Sequence, residues 1–124
     1  NSEIIPWSRE SLVSAAKESD LAIIPIDLSS PLQYLKPENR LLIMWRLGLP
    51  CLTSPSPAYI RVTKAAGVDT VCYSLTDWTE KFSEILTDSE IAEAIVSSGQ
   101  SYLKENHNSE LVLQKWDQVF QSVL

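Results

Sequence analysis

The sequence predicts an α/β fold: a parallel sheet of three to four strands with helices on both faces and a helical C-terminal tail. Three observations carry this. Short strand-like runs at 21–26, 50–54 and 69–73 are separated by amphipathic stretches of helical period. The run 21–26 is apolar throughout rather than alternating, as in a parallel strand covered on both faces. Beyond residue 74, three amphipathic stretches follow one another with no strand between them.

Taken in order, Ile4 and Ile5 read as a strand end halted by Pro6. Ser8 caps a helix over 9–18, with Leu12, Val13 and Ala16 on its inner face. Asp20 and Asp27 bound the first strand, and residues 27–35 form a loop punctuated by Ser29, Ser30 and Pro31. Pro37 opens the central helix, where its missing N–H costs nothing, and Leu41, Leu42, Trp45 and Leu47 give that helix its apolar stripe. Gly48 stops it in a left-handed conformation, and the strand 50–54 follows. Ser56 and Pro57 start a helix over 58–66, which Gly67 closes, and 69–73 is the third strand. Thr76 caps a helix carrying Trp78, Phe82, Ile85 and Leu86 at helical spacing. Ser89 opens the next, with Ile91, Ala94, Ile95, Tyr102 and Leu103 along one side. The last helix, 109–124, is amphipathic, with Leu111, Leu113, Trp116, Val119, Phe120 and Val123, and the Trp and Phe residues of the tail read as core.

The 124 residues form one domain, of a size that buries roughly 65–70% of its unfolded surface. A formal charge of −6 argues against a nucleic-acid partner, which needs a clustered basic face. Four cations nevertheless fall close together, Lys36, Arg40, Arg46 and Arg61, and a local positive site suits a small anion better than a polymer. Cys51 and Cys72 each lie in an expected core strand and read as free thiols. No apolar run reaches the roughly 18 residues of a membrane span. With neither an initial methionine nor a signal segment, the chain reads as a domain cut from a larger protein.

The chemistry concentrates at residues 34–54. An open helix N-terminus carrying Lys36, Asn39 and Arg40, and leading into a buried strand, is an anion site. Here the sequence, Lys36-Pro37-Glu38-Asn39-Arg40-Leu41-Leu42 followed by Leu47-Gly48-Leu49-Pro50 and Thr53-Ser54-x-x-Pro57-Ala58-Tyr59, resembles the donor-binding domain of retaining glycosyltransferases of the GT-B fold, the group 1 type. Ile5-Pro6-Trp7-Ser8, the strand from Ser19 to Pro25, and Leu103 with Asn106-His107 extend the likeness over most of the chain.

The resemblance implies a Rossmann-like doubly wound sheet and transfer of a sugar from a nucleotide-sugar donor to a glycan, lipid or polysaccharide. The nucleotide-sugar is a substrate, and no cofactor is implied. It places the donor diphosphate and sugar at Lys36, Glu38, Asn39 and Arg40, and the nucleobase and ribose near Pro6, Trp7 and Ile43. Trp7 would stack on the base or pack the start of the first helix. The family's two glutamates, eight positions apart, fall on Leu35 and Ile43, so a ribose hydroxyl facing Ile43 loses a charge-assisted partner worth about 1.5–3 kcal/mol.

The chain also holds fewer strands than that domain. This predicts an exposed sheet edge, at which either the N-terminal residues pair or a second copy of the chain associates, through that edge or through the tail helices. The other implied partner is an N-terminal domain of the same protein, without which this portion is inactive. The implied location is cytoplasmic, with a peripheral place at the membrane left open. A degenerate, non-catalytic binding or assembly module is the alternative function. Asp27 reads as a strand terminator and His107 as a helix-end residue. One histidine and two core cysteines provide no metal set.

Overall fold

The computed structural model describes residues 2–124. In chain order the elements are α1 (Arg9–Lys17), β1 (Ala22–Ile24), α2 (Pro31–Tyr34), α3 (Asn39–Arg46), β2 (Cys51–Thr53), α4 (Pro57–Ala66), α5 (Leu75–Thr87), α6 (Ser89–Asn106) and α7 (Ser109–Val123).

This overturns the expected fold class. The protein is mostly helical, at 63%, and its sheet among the described residues is two parallel strands of three residues each. A Rossmann-like sheet of three to four strands is absent from them. Each expected strand is cut short by chemistry on its flank. Pro25 has no N–H to extend β1 beyond Ile24, and the Ile26 N–H donates instead to the Ser54 hydroxyl at 2.8 Å. Pro50 likewise has no N–H to donate before β2, although its carbonyl still accepts from the Ala22 N–H at 2.9 Å.

The third run contributes one parallel bridge, Val71 to Thr53. Beyond it the N–H groups of Tyr73 and Ser74 donate to the Asp77 carboxylate, at 2.7 and 3.2 Å. Those bonds close the capping box of α5 and remove the donors a longer strand would use. They also hold the Asp77 carboxyl below its ordinary range, the Tyr73 N–H being the largest cause. The cap is therefore Ser74 rather than Thr76. Ile4 and Ile5 are exposed and form no strand, and the loop expected at 27–35 contains the single turn α2.

The core has two parts, one on each side of the strands. On one side Ile24 and Cys51 pack with Leu41, Leu42 and Trp45 of α3, Tyr59 and Val62 of α4, and Leu103 of α6. On the other, Leu52 packs with Cys72, Ile85 of α5 and Ile95 of α6. The 18-residue α6 thus serves both, contacting α3, α4 and α5. Cover on the second side stops at β2: Ile23, in register with Leu52, is 55% exposed.

Helix ends follow the local rules. Ser8 caps α1 with a reciprocal box to Ser11, and Asp88 caps α6. Gly48, at φ 79°, lets the Gly48 and Leu49 N–H groups turn back to the carbonyls of Trp45 and Met44. This double bond ends α3 and aims the chain into β2. Both cysteines are free and buried, and burial pushes the Cys51 thiol up to about 12.

The tail departs from expectation. No residue of α7 is buried, and Trp116 and Phe120, 56% and 57% exposed, stack on each other at 5.8 Å instead of entering a core. Among the described residues, no helix is long and apolar enough to cross a membrane.

Candidate functional site

Five of the six helices of eight residues or more begin with a side chain bonded to the first-turn N–H groups: Ser8, Ser56, Ser74, Asp88 and Asn108. The exception is α3. It begins at Asn39 rather than at Pro37, and its N-cap residue, Glu38, makes no cap bond. The Glu38 carboxylate turns away to Arg61 of α4, with Oε2 and Nη2 2.9 Å apart. The N–H groups of Asn39, Arg40 and Leu41 consequently find no acceptor among the described residues. Open donors and the positive end of the helix dipole then face the same point.

That point is a cavity of about 290 Å³, lined by Ile26, Gln33, Lys36, Pro37, Asn39, Arg40 and Tyr59. The fold brings these together from the segment after β1, from α2, from the start of α3 and from the first turn of α4. Lys36 and Arg40 are solvent-accessible and form no ion pair with any described carboxylate. Glu38, the acid nearest in sequence, is already neutralised by Arg61. The cavity therefore presents two free cations, open backbone donors and the amides of Asn39 and Gln33.

Tyr59 forms the inner wall and is only 1% exposed. Its N–H and carbonyl are bonded within α4, but its hydroxyl has no partner among the described residues. The hydroxyl is not one of the fully enclosed polar atoms without a partner, and Tyr59 is one of the residues that line the cavity. Burial raises the phenol above its ordinary value, and the Arg40 guanidinium partly opposes this. The hydroxyl accordingly stays a hydrogen-bond donor at neutral pH.

Of the residues expected from sequence, Lys36, Asn39 and Arg40 meet at the cavity and Glu38 stands behind it, anchored to α4. Pro6 and Trp7 do not line it, and Trp7 is 80% exposed before α1. Ile43 lies one turn beyond Asn39, partly exposed and outside the cavity, and Leu35 is exposed after α2. Asp27 accepts from the Ser29 hydroxyl and N–H, at 2.6 and 3.0 Å, and the hydroxyl is the main cause lowering its pKa. His107 ends α6, where its carbonyl accepts from Arg46.

Sequence reasoning missed Tyr59 and Gln33 as lining residues. Tyr59 lies within the Pro-Ala-Tyr motif, whose position at a helix start after a buried strand was the available signal. Gln33 had none. No group of three or more His, Cys, Asp or Glu among the described residues is placed to hold a metal ion. Comparison with models of known families, with curated proteins and with solved structures finds no match to the chain.

Proposed function

We propose that the cavity at the start of α3 binds the diphosphate of a nucleotide-sugar, and that the chain supplies part of the donor site of a retaining glycosyltransferase. The observation that carries this reading is the meeting of Lys36, Arg40 and the uncapped N–H groups of α3 on one cavity. Two cations and fixed donors match an anion of two or more charges. They would also offset the charge that grows on a diphosphate as the sugar leaves it. The sequence motifs supply the rest of the reading, including the nucleoside and the sugar. Leu35 and Ile43, apolar where the resemblance calls for glutamates, favour the second reading, a binding module without turnover.

Calorimetric titration with uridine and guanosine diphosphate sugars tests the site. Saturable binding that weakens with added salt is expected, with no heat from the uncharged sugars. Failure of every diphosphate to bind would overturn the proposal. Binding without sugar transfer, in protein joined to its N-terminal domain, would select the non-catalytic reading.

The partners proposed with this function are that N-terminal domain and a second copy of the chain, and the compartment is the cytoplasm. Exposed Val112, Leu113, Trp116, Val119, Phe120 and Val123 on α7 and exposed Ile23 on β1 leave apolar surface for such contacts. Light scattering should show a mass rising with concentration. A monomer at every concentration would refute self-association.

A further inference from the structure

The uncapped start of α3 is not the only part of the cavity without a partner. Tyr59 reaches the same space from α4, and its hydroxyl has no partner among the described residues. Every other contact of Tyr59 is accounted for. Its ring belongs to the apolar cluster of Ile24, Leu41, Leu42, Trp45, Cys51, Val62 and Leu103, and its backbone groups bond to the Ser56 cap and to Thr63 of α4. Phenylalanine would make the same apolar contacts and leave no donor unpaired. The hydroxyl therefore has no structural task among the described residues.

We infer that Tyr59 is a ligand-binding residue of this site, its hydroxyl donating a hydrogen bond to a phosphate oxygen of an anion held at the start of α3. The inference rests on the diphosphate reading above. It adds a second grip, from α4, to the first from α3. The Glu38–Arg61 pair, at 2.9 Å, also links the start of α3 to α4. A hydroxyl donor next to Lys36 and Arg40 adds direction to what the two cations supply as charge. Because the phenol is pushed up by burial, it remains protonated across the neutral range.

The test compares Tyr59→Phe and Arg40→Ala in the full chain, titrated with uridine diphosphate and with inorganic pyrophosphate, and each melted without ligand. Tyr59→Phe should weaken both ligands on the order of ten-fold, the loss expected for one hydrogen bond to a charged group. Its unfolding midpoint should not fall, since no internal bond is removed. Weakening by Arg40→Ala together with unchanged affinity in Tyr59→Phe would overturn the role of Tyr59 and leave the diphosphate site standing. A fall in the Tyr59→Phe midpoint with unchanged affinity would show a purely structural hydroxyl and overturn the inference as well. A wild-type protein that binds neither ligand overturns both the inference and the reading beneath it.

Discussion

Gly99→Ala is expected to destabilise the protein by about 1–2 kcal/mol net, although alanine is the better helix former. Gly99 sits within α6, and a Cβ built there would lie 2.4, 2.5 and 2.8 Å from Cδ2, Cγ and Cε2 of Trp45. Those are ring atoms, not the end of a flexible chain. The ring cannot move aside: Trp45 is 0% exposed, edge-on to Tyr102 at 6.2 Å, and its carbonyl accepts from the Gln100 side chain at 3.1 Å. The indole Nε1 has no hydrogen-bond partner among the described residues, so packing alone seats the ring. Helix propensity returns roughly 1 kcal/mol to alanine, and overpacking of a fully enclosed ring exceeds it.

For a chain of this length, a net loss of that size lowers the melting temperature by roughly 5 °C. Thermal denaturation followed by circular dichroism reads it directly. In a Trp45→Leu background the same Gly99→Ala change should cost little, because the smaller side chain leaves room for the methyl group. A Gly99→Ala protein as stable as wild type would show that α6 does not lie against Trp45 at this distance. The contact bears on function, since α6 packs on the helix whose first turn forms the cavity.

What the sequence made legible was local. Ser8, Gly48 and Gly67 act within a few residues of themselves and stand where the spacing put them, whereas α5 is capped two residues before Thr76 and α3 starts two residues after Pro37. The sheet was not legible, because strand length depends on which N–H groups remain free. Pro25 and the Asp77 carboxylate decide that, and neither interrupts the apolar pattern used to find strands. The tail misled for a related reason. Helical periodicity in α7 shows that an apolar stripe exists, not that anything lies beneath it. At the site, Lys36, Asn39 and Arg40 were legible because they surround one helix start. Tyr59 and the Arg61 that draws Glu38 aside lie on α4, across β2, and only the fold brings them to α3.

The removal of both cations, Lys36→Ala with Arg40→Ala, is expected to abolish measurable binding of a nucleoside diphosphate sugar. Loss of one charge-assisted phosphate contact costs about 1.5–3 kcal/mol, or roughly ten- to a hundred-fold in affinity. Arg40→Ala alone should show that single step. The two side chains serve one ligand, so their effects need not add, but the second step still removes the last cation lining the cavity. What remains then works against an overall charge more negative than the −6 of the unmodified chain, which disfavours an anionic ligand.

Salt separates the local from the overall effect. Raising ionic strength from about 0.01 to 0.15 M shortens the screening length from roughly 30 to 8 Å. Lys36 and Arg40 are solvent-exposed, so the affinity gap between wild type and Arg40→Ala should narrow as salt rises. Stability should hardly change, because neither cation has an ion-pair partner to lose and exposed substitutions typically stay within about 0.5 kcal/mol. Calorimetric titration at two salt concentrations, with a melting curve for each variant, measures all of this. If wild type binds the donor and Arg40→Ala binds it equally well, the diphosphate does not sit at the start of α3, and the uncapped N–H groups of Asn39, Arg40 and Leu41 require another ligand.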